Sequence, residues 1–206
     1  MMLHLVRYSG PFGFIKPWTA VRDAETFSQQ FLTPSIVEGI EKKLFPELLD
    51  QPGIAGKITR HRLSYSGVSR QQEQTQPRAI SEKFEKSKGL VTISRGRSIL
   101  TRGVLLSPSL WLAFDGKNSA KIAAQQHICL CRNEDVLLPD AEIAEVAEAD
   151  FDAPHDGSGR PNFDGFELLF GDAPQSFIVG YNRFGNAAPM HGRLHIVGNP
   201  IREATP

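Results

Sequence analysis

Two cysteines in 206 residues are too few for a disulfide framework, and net charge of either sign is missing: 23 Lys and Arg stand against 23 Asp and Glu. The first shortage excludes the small disulfide-stapled secreted class and points to a reducing, cytoplasmic compartment. No apolar run reaches ~18 residues, so no membrane-spanning helix and no membrane partner are expected. Met1 to Gly10 lacks both the apolar stretch and the small-residue cleavage pattern of a signal peptide. Also missing are the Gly-Lys-Ser/Thr of a phosphate-binding loop, a Gly-x-Ser-x-Gly nucleophile elbow and a His-Glu-x-x-His zinc pair. What remains is a chain with 40% apolar residues, long enough for one domain with a real core, read as a single unit over residues 1–206.

The zero net charge hides a segregation along the chain. Between Lys57 and Arg102 there are 11 basic and 3 acidic residues, a local charge of +8. Between Glu134 and Gln175 there are 12 acidic residues and one basic residue, Arg160, a local charge of −11. Such asymmetry is the composition signal of an interaction surface, so nucleic acid stays open as a partner. The alternative is two stretches that pair with each other.

The pattern predicts alternating elements of an α+β fold. Leu3 to Tyr8 reads as a first strand, and the aromatic, basic stretch from Gly10 to Phe31 as a long loop. Thr33-Pro34-Ser35 starts a helix: Thr33 suits the N-cap, Pro34 suits the first turn, and Ile36, Ile40, Leu44 and Leu48 form one stripe. Pro46 bends or stops it near Phe45. Ile58 to Ser66 reads as a strand. Residues 67–89, rich in glutamine and charge, read as a protruding insertion with too little apolar surface to order itself. Strands at Leu90 to Ser94, Ile99 to Leu106 and Leu110 to Phe114, a helix at Asn118 to Gln126 and a strand at His127 to Cys131 follow. Ala141 to Ala149 reads as an acidic helix, Phe151 to Pro161 as a loop, and Phe166 to Phe170, Ser176 to Val179 and Arg193 to Val197 as the last strands.

The basic stretch is the best lead to chemistry. Arg60, Arg62, Arg95, Arg97 and Arg102 lie on or beside strands flanking the insertion, and arginine grips phosphate with a planar fork. Phe12, Phe14, Trp18 and Tyr65 offer stacking surfaces beside Lys16 and Arg22. The run from Gly180 to Arg193 combines glycines with Arg183 and His191, donors suited to a phosphate backbone. His127, Cys129 and Cys131 alternate and would share a strand face, but buried thiols fit that pattern better than a metal site. No cofactor and no metal are expected. His4, His61 and His191 are general acid–base candidates without a paired nucleophile.

Ser9-Gly10-Pro11-Phe12 after the first strand, and Phe31-Leu32-Thr33-Pro34-Ser35-Ile36-Val37-Glu38-Gly39 opening the first helix, resemble the CRISPR-associated RAMP proteins. In particular they resemble the small subunit that caps the 5′ handle of the guide RNA in Cascade-type complexes. Thr33-Pro34-Ser35 followed by Gly39 is the most specific match, Gly185 and Gly192 resemble the superfamily's Gly-rich loop, and the short length points to a compact branch such as type IV. The resemblance implies a ferredoxin-like, RNA-recognition-type fold with a β-hairpin thumb at residues 67–89. It implies a non-catalytic subunit that binds the crRNA handle, contacts a backbone subunit and a large subunit, and places the thumb near target DNA. The implied RNA-binding set is Lys16, Trp18, Arg22, Thr33, Ser35, Arg60, Arg62, Arg95, Arg97, Arg102, Arg183, Gly185, His191 and Gly192. The alternative in the same superfamily is a crRNA-processing endoribonuclease. Gln29 stands where cleaving members carry a tyrosine, and there is no Lys-His pair.

Overall fold

The computed structural model describes residues 1–17, 24–75, 80–85, 87–95, 98–157, 159–182 and 186–202. Its centre is an antiparallel sheet of eight strands in the order β10-β11-β1-β9-β4-β12-β14-β13. These are β1 (Met2–Ser9), β4 (Ile58–Ser64), β9 (Ser109–Phe114), β10 (Ile128–Cys129), β11 (Val136–Ala147), β12 (Gly165–Phe170), β13 (Phe177–Tyr181) and β14 (Pro189–Val197).

Both faces of the central strands are covered, which explains why β1 and β9 read as nearly continuous apolar runs. Alternation along β1 sends Val6 and Tyr8 to one face and Leu3 and Leu5 to the other. On the first face, α1 (Pro34–Leu44) contributes Val37, Ile40 and Leu44, and α2 (Lys117–Ala123) contributes Ala120 and Ala123. They pack with Leu63, Leu110, Leu112 and Phe114. On the second face, Leu3, Leu5, Trp111 and Ala113 are covered by Phe151 of α3 (Glu148–Asp152) and by Phe163. Helix α1 begins after Thr33 and ends at Phe45, where Pro46 opens a 3₁₀ turn.

The ferredoxin-like α+β expectation is wrong. Strands make up 49% of the described residues and helices 14%, and the layer under the helices is one large antiparallel sheet. The largest single error lies at Ala141 to Ala149, expected to be an acidic helix. Most of it is β11, paired with β1 from Met2↔Ala147 to Ser9↔Leu138. Ile143 packs toward the helix layer, and Ala144 and Val146 toward the opposite face. A neighbouring strand and two apolar surfaces outweigh the modest helix preference of alanine and glutamate. The stretch from Gly10 to Phe31 is also more than a loop, since β2 (Phe12–Gly13) and β3 (Glu25–Phe27) pair with β8 (Ser98–Leu106).

The other edge of β8 pairs with β5 (Gly67–Thr75), residue for residue from Gly67↔Leu106 to Thr75↔Ser98. A separate ladder joins β6 (Ile80–Glu85) to β7 (Leu90–Arg95). Backbone pairing, not apolar burial, orders these polar strands. Phe84, Leu90, Val91 and Ile93 all lie exposed.

Candidate nucleic-acid interface

Two of the arginines that led the sequence argument, Arg60 and Arg62, are held within the fold. A register shift in β4 between Ile58 and Arg60 aligns Arg60 with Ala113 and Arg62 with Trp111, on the α3 side of the sheet. There Glu167 of β12 meets both. Arg60 donates from Nε to Glu167 Oε1 at 2.7 Å, from Nη2 to Asp152 Oδ1 at 2.7 Å and from Nη1 to Glu148 Oε1 at 3.1 Å. Arg62 donates from Nη2 to Asp152 Oδ1 and Glu167 Oε2, both at 2.9 Å, and from Nη1 to the carbonyls of Phe151 and Phe163, both at 3.2 Å. Its guanidinium stacks 4.3 Å from the centre of the Phe151 ring. The side chain of Arg62 is 0% exposed and that of Glu167 is 1% exposed. No face of Arg62 is left for a phosphate.

The electrostatics follow from this packing. Burial alone would lift the Glu167 and Asp152 carboxyls, but the guanidiniums beside them hold both below their ordinary values. Burial alone would lower the Arg60 guanidinium, but its hydrogen bonds to Glu167 and Asp152 raise it. His61, on the helix side, is pushed down to about 4 by burial, with Arg62 and Arg60 adding to the effect and Glu167 opposing it. Its Nε2 accepts the Leu168 N–H at 3.4 Å, which requires an unprotonated nitrogen. At this site the acidic and basic stretches of the chain neutralise one another.

Asp152, Glu167 and His195 place ligand-type atoms within 4.8 Å of one another. Both carboxylates are already held by Arg60 and Arg62, so the charge a cation would balance is taken. The cysteines differ from expectation. Ile128 and Leu130 face the core, Cys129 is half-buried and Cys131 is exposed. Cys131 Sγ accepts the Lys16 N–H at 3.3 Å.

A cleft of about 460 Å³ lies between α1 and the end of the β13–β14 pair. It is lined by Pro34, Ser35, Glu38, Gly39, Lys42, Gly53, Ile54, Tyr181, Asn182 and Met190. Thr33 is buried at the helix start and its carbonyl accepts the Ile36 and Val37 N–H groups, so it caps rather than contacts the surface. Ser35, one residue into α1, is exposed. Two segments 145 residues apart, Ser35 and Gly180, thus come to one place through the sheet. Lys42 and Asn182 were not singled out in the sequence: Lys42 shows only as a polar position opposite the helix stripe.

The remaining candidates are dispersed. Lys16 is exposed. Arg102, on β8, donates to Thr26 Oγ1 at 3.0 Å, lies 3.5 Å from Glu73 and sits over the Phe14 ring. Arg95 ends β7 opposite Ile80. His191 and Gly192 lie within β14, where Gly192 packs against Leu168 and a Cβ would meet that side chain at 2.9 Å. Trp18, Arg22, Arg97, Arg183 and Gly185 lie outside the described residues. Among the described residues, no helix is long and apolar enough to cross a membrane.

No protein-family model matches the sequence, and no curated protein does. Among solved structures, the chain is similar to a chain described as "CRISPR RNA-guided surveillance complex", with 13% identity, a TM-score of 0.47, and coverage of 95% of this chain and 90% of that one.

Proposed function

We propose that the chain is a non-catalytic RNA-binding subunit of a CRISPR effector complex, holding the 5′ handle of a crRNA and contacting a backbone and a large subunit. The observation that carries this reading is the cleft. Ser35 and Gly39, from the segment of most specific family resemblance, share it with Tyr181, Asn182 and Met190 beside the C-terminal Gly-rich run. RNA runs through this cleft, and phosphate contacts outside it are assigned to Lys16, which is exposed, and to Arg95, Arg97 and Arg183. Arg60 and Arg62 do not, because Arg60 is held by three carboxylates and Arg62 is fully buried. The β6–β7 ladder, with Phe84, Val91 and Ile93 exposed, is the thumb, placed beside the guide–target duplex. His61 is buried against Phe170 and low in pKa, a poor base at neutral pH, which supports a binding rather than a cleaving role.

The test is handle-RNA binding by Ser35→Glu, which adds a negative charge at the mouth of the cleft with no core contact to lose. A fall in affinity of tenfold or more is expected. Unchanged affinity in the folded variant would reject the cleft as the RNA path.

A further inference from the structure

The sheet face opposite the helices carries a second pocket, of about 280 Å³, away from the cleft. Its chemistry divides in two. One side holds two guanidiniums, Arg7 and Arg202, with the buried hydroxyls of Ser64 and Ser109. The other side is β11, with Asp140 and Glu142. The indole of Trp111 forms a wall, fixed by its N–H donating to the Asn162 carbonyl at 3.0 Å.

The two guanidiniums are unevenly satisfied. Arg7 donates from Nε to Ser109 Oγ at 2.9 Å and lies 3.7 Å from Asp140. Arg202 donates to the Ser107 carbonyl, and its buried Nε has no acceptor among the described residues. Burial, and then the charge of Arg7, lower the Arg202 guanidinium from its ordinary value. Two like charges lining one pocket, one of them with an orphaned donor, are what an anion would relieve. A buried donor left without an acceptor costs stability.

We propose that this pocket binds one nucleoside monophosphate unit. The phosphate lies against Arg7 and Arg202, the base lies along Trp111, and Asp140 or Glu142 accepts from the amino group of the base. A carboxylate discriminates here: guanine, adenine and cytosine present an exocyclic amino donor, whereas uracil flanks its single N–H with two carbonyls. The volume is at the small end for ligand pockets and suits one nucleotide rather than a strand. The inference goes beyond the RNA-binding reading and does not need it, because a free nucleotide and one nucleotide of a bound RNA present the same groups.

Trp18 and Trp111 are the only tryptophans, so Trp18→Phe leaves Trp111 as the reporter, with calorimetry on the unaltered chain as the second measurement. Titrations use GMP, AMP, CMP, UMP, guanosine and a 5′-phosphorylated tetraribonucleotide. Saturable binding of GMP, with UMP and guanosine each at least fivefold weaker, is expected. Arg202→Gln should weaken GMP at least tenfold, and Glu142→Gln with Asp140→Asn should erase the preference over UMP. Tighter binding of the tetranucleotide than of GMP assigns the pocket to RNA, and equal binding assigns it to the free nucleotide. The proposal is overturned if no nucleotide or tetranucleotide saturates, if guanosine binds as well as GMP, or if both variants bind like the unaltered chain. Nucleotide binding with no effect of Ser35→Glu separates this pocket from the cleft.

Discussion

At the residue scale, the molecule's chemistry centres on Arg62, Glu167 and His61. Removing one partner of a fully buried ion pair leaves a bare charge in a low-dielectric interior. Arg62→Ala should therefore cost about 3–5 kcal/mol, read by urea denaturation. A loss under about 1 kcal/mol would mean water already reaches Glu167. The titrations act on different pH windows. Glu167 and Asp152 have folded values below the ordinary 4.5 and 3.8, so their contribution is full above those values and is lost as pH falls through the folded ones. His61 also has a depressed folded value, but as a base it works from higher pH. The unfolded chain takes up its proton near 6.5, and the folded chain refuses it until about 4. Stability therefore declines as pH falls across that window, by roughly 3 kcal/mol from this residue. In His61→Gln, melting temperature should be nearly flat between pH 6.5 and 4.5. A slope equal to that of the unaltered chain would show that His61 is not the titrating group.

At the element scale, legibility followed the source of each element's stability. The start of helix α1 was readable, and its end was placed near Phe45 as a bend or a stop, because a proline start, an apolar stripe and Pro46 are all local signals. Strands β1, β9 and β12 were readable because most of their own residues are apolar and are buried on the sheet. Strand β11 was not: its alanines and glutamates are held in place by β1, a partner more than 130 residues away. Helix α3 is only five residues long, and its one anchor, Phe151, looked like a loop residue. Phe151→Ala should cost about 3–5 kcal/mol in chemical denaturation, since it removes the ring from the second core and the surface beneath both arginines. The β6–β7 ladder should respond in the opposite way. Ile93 is 64% exposed and Phe84 60% exposed, so serine at Phe84, Val91 and Ile93 should change stability by no more than about 0.5 kcal/mol per site while weakening binding of a guide–target duplex and leaving handle-RNA binding unchanged. A drop of several degrees in melting temperature would show that the ladder is packed against the body.

At the scale of the whole molecule, the +8 and −11 stretches are partly one internal structure. Arg60 and Arg62 come from the first; Glu148, Asp152 and Glu167 come from the second. Two of the eleven basic residues of the first stretch are therefore spent within the fold. Each phosphate contact on a single strand contributes ~0.7 to the log–log salt slope of binding. Arg60→Gln should leave that slope unchanged, as measured by RNA titration between low and moderate salt. A slope reduced by ~0.7 would return Arg60 to the interface.

What the amino-acid order determined alone was local: where α1 starts and stops, which strands are apolar, and that charge is unevenly spread along the chain. Which charges meet was decided only by the tertiary structure. The register shift in β4 turned two arginines toward α3, and the sheet order brought Glu167 beside them. The same sheet order drew Ser35 to Tyr181, and Arg7 to Arg202. Pairing between distant strands depends on partners that no window of sequence contains, so two arginines of a basic run that looked like a surface became part of the interior.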